Sequence, residues 1–240
     1  MVYATLTKTG GRQVNEDSVG VRQKSGSVFC ILADGLGGHG AGEVASNLVV
    51  NKALNVFDEG GVEFNEILSV CMNEGQKALI EEQNQQNCRD DMKTTAAMLL
   101  IENGKAQWAH IGDSRIYRFE NMALTGRTID HSVPQMLVLQ GEICEKDIRH
   151  HEDRNRLTRV LGVQGDILKY TLSEPVDLQE PAAFLLCSDG FWELIEEKYM
   201  IRLLNKNSSP EEWLTGMEKI IIKNGRKKNM DNYSAIAVYI

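Results

Sequence analysis

Three apolar runs in this chain end in the same chemistry. Residues 29–33 stop at Asp34-Gly35, residues 108–111 at Gly112-Asp113, and residues 184–187 at Ser188-Asp189-Gly190. A fourth run begins directly after Asp231-Asn232. An aspartate beside a glycine is an ordinary turn pair, and any one of these alone reads that way. Together they suggest more. In antiparallel pairing the end of one strand lies beside the start of its neighbour, so the four aspartates can gather on one sheet edge. Glu16 and Asp17 fall in a loop able to join them. Crowded carboxylates do not all stay ionised without a counter-charge, and a divalent cation supplies one. The Asp34 carboxylate and the Gly35 carbonyl would both be available to it. All-oxygen ligation favours magnesium or manganese over zinc, and the spacing is not that of a calcium-binding EF-hand loop. Two such ions suit phosphoryl chemistry, where they acidify a water and hold phosphate oxygens. Arg12 could then bind phosphate through its fork of donors, and His39 could protonate a departing alkoxide. The plainer alternatives are a surface arginine and a loop histidine capping the next helix.

The segment after Asp34 supports a competing chemistry. Gly35-Leu36-Gly37-Gly38-His39-Gly40 fits G-x-G-x-x-G between a strand-like run and a helix-like one, the fingerprint of a dinucleotide-binding oxidoreductase. Asp58 and Glu59 lie about the right distance on, but they follow a helical pattern where a ribose ligand would follow a second strand. Asp34 would also press a negative charge against a pyrophosphate.

The elements that must position these residues follow from periodicity. Strands are expected at 2–8, 19–22 and 28–33, the opening resembling a β-meander, and helices at 42–57 and 64–83. The polar stretch 81–91 reads as an exposed loop. Strands at 95–101, 105–111, 115–120 and 122–124 read as consecutive hairpins, with Asn103-Gly104 a strong turn signal. Short helices are expected at 133–139 and 145–151. The last third should hold strands at 168–172, 183–187 and 233–240. Its final helix has Ser209 as N-cap, Pro210 in the first turn, Glu212 to close a capping box and Gly225 to end it.

The chain has 240 residues and a formal net charge of −8. That size supports one core without disulfides, and that charge argues against nucleic-acid binding, whose footprint is basic. No apolar run approaches membrane-spanning length. The start lacks a charged segment followed by an apolar one, so no signal peptide is expected. Five scattered cysteines without C-x-x-C suit a reducing compartment, and a cytoplasmic location is expected.

In order along the chain, Arg12-x-x-Asn15-Glu16-Asp17, Ala33-Asp34-Gly35-Leu36-Gly37-Gly38-His39, Thr94-Thr95, His110-Ile111-Gly112-Asp113-Ser114-Arg115, Asp130-His131-Ser132, Leu157-Thr158-Arg159-Val160-Leu161-Gly162, Cys187-Ser188-Asp189-Gly190 and Asp231-Asn232 resemble the metal-dependent serine/threonine protein phosphatases of type 2C, the PPM family, in their compact bacterial form. The resemblance implies an α+β fold, a four-layer αββα sandwich of two mostly antiparallel sheets flanked by helices. It implies one catalytic domain over 1–240 with a small flap insertion at about 132–156. Asp34 would bridge two Mn2+ or Mg2+ ions. The Gly35 carbonyl would serve one, Asp189 and Asp231 the other, and Glu16 would act through water. Asp113 with Asp189 would form a third, weaker site, and Arg12 would bind phosphate. The implied reaction is direct attack of a metal-bridged water on phosphoserine or phosphothreonine in protein substrates, opposing a serine/threonine kinase. His39 stands three residues further from the Asp-Gly pair than in some members. Lys93 replaces a usual glycine and Leu36 a common methionine. The flap's basic cluster, Arg149, His150, His151, Arg154 and Arg156, reads as a solvated surface or as a face for acidic phosphopeptides. A non-catalytic module of the same fold is a further alternative, which the complete set of acids argues against.

Overall fold

The computed structural model describes residues 1–24, 26–37, 41–88, 91–165, 167–226 and 229–240. Its strands are β1 (Val2–Lys8), β2 (Asp17–Lys24), β3 (Ser27–Leu36), β4 (Lys93–Thr94), β5 (Ala96–Glu102), β6 (Lys105–Ile111), β7 (Arg115–Glu120), β8 (Ala123–Arg127), β9 (Thr171–Leu172), β10 (Val176–Asp177), β11 (Ala182–Cys187) and β12 (Tyr233–Tyr239). The helices are α1 (Ala41–Glu59), α2 (Phe64–Gln86), α3 (Val133–Leu139), α4 (Asp189–Trp192), α5 (Glu197–Leu204) and α6 (Pro210–Gly225), with a 3-10 segment at Glu145–His150.

Two antiparallel sheets form the centre, one ordered β1-β12-β11-β7-β8 and the other β10-β6-β5-β3-β2. Strands buried on both faces explain the layering. Along β3, Phe29, Ile31 and Ala33 face α1 and α2, while Val28, Cys30 and Leu32 face the other sheet. Along β11, Ala183, Leu185 and Cys187 meet α5 and α6, while Phe184 and Leu186 meet the first sheet's partner. Alternating side chains thus build three apolar layers between four structural ones, the αββα sandwich expected.

The connections differ from expectation where they matter most. β1 pairs with β12, not with β2, so the opening is no meander and the loop at residues 9–16 crosses between sheets. β6 and β7 also lie in different sheets, so Gly112-Asp113-Ser114 is a crossing rather than a hairpin turn. Asn103-Gly104 does form its hairpin, both residues with positive φ. The stretch expected as a loop from 81 remains helical to Gln86, because Gln83 is fully buried and its amide donates to Met92 O and Gly162 O, both at 2.7 Å. In α6, Ser209 Oγ accepts from Glu212 N–H at 3.2 Å. The Glu212 carboxylate turns to Ser208 instead of closing the box. Among the described residues no helix is long and apolar enough to cross a membrane, and all five cysteines are free.

Candidate metal centre

The two sheet crossings and the ends of β3, β11 and β12 meet at one edge. Arg12, Glu16, Asp34, Gly35, Asp113, Asp189 and Asp231 all line one cleft of about 380 Å³ there. Each arrives by a traceable route. Asp34 stands opposite Asp17 in the β2–β3 ladder. Its N–H donates to Thr95 Oγ1 at 2.9 Å, and its carbonyl accepts from Thr94 Oγ1 at 2.8 Å. Lys93, which stands where the resemblance expects glycine, and Thr94 form a short ladder with Leu36 and Gly35. Asp189 opens α4 where β11 ends, and β12 begins beside it, since Cys187 pairs with Ala235.

Asn232 fastens the loop that carries Arg12 and Glu16. Its Oδ1 accepts from Glu16 N–H at 2.9 Å, and its Nδ2 donates to Thr9 O and Val14 O at 3.0 and 2.9 Å. Close backbone approach completes the assembly. A Cβ on Gly35 would lie 2.0 Å from Gly42 O, and one on Gly190 would lie 2.1 Å from Asn232 O. No side chain could occupy either place without displacing the segments that hold the acids.

Negative charge dominates the electrostatics of this edge, with Arg12 and Arg154 offsetting only part of it. Burial raises Asp34 and Asp113 well above the ordinary carboxylate range, and the neighbouring acids raise them further. Asp189 is raised by burial and then by Asp231. Glu16 is raised by burial and by Asp231, with Arg12 opposing. The Asp34 and Asp189 carboxyls lie within hydrogen-bonding reach of each other. Among the described residues, no three of these side chains already close on one point as ligands of a single ion would. The donor set nevertheless fits hard divalent cations: five carboxylates and a peptide carbonyl share one cleft, with no sulfur or imidazole among the described residues that line it. Added positive charge would remove the repulsion that lifts these groups.

Asp17 lies at the start of β2, not in the loop. It is buried, its Oδ2 accepts from Ser188 Oγ at 2.8 Å, and its Oδ1 has no partner among the described residues. Burial pushes it up to about 7. Arg12 pairs with Asp231 at 2.8 Å at the half-exposed cleft mouth. His39 lies outside the described residues. Asn155, in the segment 132–156, and Leu157, which opens the Leu157–Gly162 motif, also line the cleft; Asn155 belongs to none of the motifs that carry the resemblance. Its arginines are engaged within the protein. Arg149 donates to Trp192 O, Ile195 O and Glu197, Arg154 pairs with Glu193, and Arg156 pairs with Asp153. Arg149 is thus drawn inward, while Arg154 and Arg156 stay 41% and 69% exposed in their pairs.

The dinucleotide reading is overturned. β3 is flanked by antiparallel neighbours, so the described residues around it form no βαβ unit. Asp58 sits near the end of α1, where it pairs with Arg22 at 2.9 Å.

Comparison with known proteins points the same way. A family model described as protein phosphatase 2C matches residues 9–231. The serine/threonine phosphatase stp of Listeria monocytogenes is 32% identical over 207 residues, covering 84% of this chain and 81% of that one. The crystal structure of the Mycobacterium tuberculosis serine/threonine phosphatase PstP/Ppp superposes with a TM-score of 0.86 at 29% identity, covering 98% and 97% of the two chains. The catalytic domain of PstP in complex with two manganese ions gives a TM-score of 0.85 at 28% identity, covering 100% and 98%.

Proposed function

This chain belongs to the protein phosphatase 2C family, and on that premise we propose how its own residues carry out the hydrolysis of phosphoserine and phosphothreonine in proteins. The observation that carries the reading is the convergence of Glu16, Asp34, Asp113, Asp189 and Asp231 with Gly35 and Arg12 on one cleft. Asp34 would hold two divalent ions, Gly35 through its carbonyl would serve one, and Asp189 and Asp231 the other. Glu16 would act through water. Asp113 with Asp189 would hold a third, more weakly. Manganese and magnesium both suit these oxygen donors. When bound, such ions supply charge neutralisation and a water acidic enough to be a nucleophile near neutral pH.

The remaining work belongs to the protein. Hydrolysis forms a bond from water oxygen to phosphorus and breaks the bond to the serine or threonine oxygen, which departs needing a proton. Arg12, at the mouth of the cleft, exchanges its contact with Asp231 for two phosphate oxygens and orients the group. His39 is assigned the proton for the leaving oxygen. Residues 1–240 act as one catalytic domain, with the flap at about 132–156 bordering the cleft through Asn155. Phosphoproteins modified by a serine/threonine kinase are the substrates, and the free cysteines agree with a cytoplasmic setting.

The test is turnover of p-nitrophenyl phosphate and a phosphothreonine peptide with Mn2+, with and without chelator. Chelation should abolish turnover and Mn2+ should restore it. Asp34→Asn should lower it at least about 100-fold with an unchanged circular dichroism spectrum. Chelator-resistant turnover, or near-normal activity in Asp34→Asn, contradicts the reading.

A further inference from the structure

Asp113 lies on a crossing between sheets, so neither ladder orients it. Its backbone is held instead from α4. The Trp192 indole N–H donates to the Asp113 carbonyl at 3.0 Å, in a fully protein-enclosed contact. Trp192 stands three residues after Asp189 on the same short helix. The ring cannot turn away. Arg115 covers its face, with the guanidinium carbon 3.4 Å from the ring centroid, and Asp130 grips that guanidinium with two bonds of 2.9 and 2.7 Å.

We propose that Trp192 is a positioning residue that sets the separation of Asp113 and Asp189. It thereby sets the affinity of the weaker cation site that these two carboxylates form in the reading above, on which this inference rests. Two buried carboxylates of like charge tend to move apart. A bond from the helix that bears one of them to the peptide that bears the other opposes that drift. Outer contacts of this kind orient ligands and tune metal affinity.

The experiment counts Mn2+ directly, by calorimetry and by electron paramagnetic resonance of the free ion, alongside turnover. Trp192→Phe removes the N–H and keeps an aromatic face for Arg115. The weakest-bound Mn2+ should loosen about three- to tenfold, the loss expected for one buried hydrogen bond, while tighter ions are unaffected. Turnover should return to wild type at saturating Mn2+. Trp213→Phe is the matched control: its buried N–H donates to Met200 O at 2.9 Å in the same helical layer. That variant should lose thermal stability without altering Mn2+ affinity. If Trp192→Phe fails to fold, benzothienylalanine in place of Trp192 preserves the shape and still lacks the N–H. Wild-type affinity for the weakest ion in a folded Trp192 variant, while Asp113→Ala has lost that ion, overturns the inference alone. Retention of every ion by Asp113→Ala overturns the underlying assignment of Asp113, and the inference falls with it.

Discussion

Replacing Gly35 by alanine adds one methyl group at the point where strand, helix and loop come closest. The new Cβ would stand 2.0 Å from Gly42 O, 2.4 Å from Gly42 C and 2.7 Å from Glu16 O. All three neighbours are backbone, so no side chain can swing aside. Contacts of this kind settle at 3.0 Å or more. The segments must therefore separate by about 1 Å, a displacement that typically costs about 100-fold in rate when it moves reacting groups. The groups moved are the Gly35 carbonyl and the Glu16 loop, both assigned to the metals. In transition-state terms 100-fold is about 2.7 kcal/mol, and overpacking costs about 1–3 kcal/mol of stability besides. Gly126→Ala is the control, since nothing lies within 4 Å of a Cβ there. The assay is kcat/KM on p-nitrophenyl phosphate at saturating Mn2+, with a thermal melt on the same samples. Gly35→Ala within about threefold of wild type, a small part of that 100-fold, would refute the claim that this close approach positions the site. Loss of activity in Gly126→Ala would show that added methyl groups perturb the enzyme indiscriminately.

The buried Arg115–Asp130 pair gives a stability test. Both side chains are nearly sealed, at 3% and 1% exposed. Among the described residues, Asp130→Ala leaves the guanidinium only Tyr117 and a long 3.8 Å approach to Glu197 as polar partners, and it should cost about 3–5 kcal/mol in urea unfolding. His131 gives a pH test. Burial, His110 and Arg159 hold its folded pKa down at about 4, with Asp130 opposing. The unfolded chain therefore takes up a proton below about 6.5 while the folded one does not. Stability from this residue is full above pH 6.5 and is lost as pH falls to about 4. Unfolding midpoints across that window should decline less in His131→Gln. Mn2+ at a hundredfold excess over its Kd should stabilise the fold by about 2.7 kcal/mol in thermal melts, and Asp34→Asn should remove most of that gain.

Much of this protein can be read along the chain. Asp34, Asp113 and Asp189 each end an apolar run and Asp231 precedes one, because an acid breaks the apolar pattern and, beside glycine, turns the backbone. That pattern is local, and so are the Asn103-Gly104 turn and the Ser209 cap. The ordered motifs then identify the family, and with it the four layers. The spacing of residues does not reveal which strands share a sheet. β1 leaves β2 for β12, and β6 parts from β7, because apolar alternation states only that a strand is buried on both faces, not which partner covers it. Long-range pairing also determines how the site is supported: Asn232 reaching back to Thr9 and Val14, Gln83 buried at the end of a polar helix, and Trp192 bonding to the turn of Asp113. The sequence alone named the acids, since their chemistry is carried by residue type. Only the folded chain decided their neighbours, since hydrogen bonds between segments more than 70 residues apart leave no periodic trace in either segment.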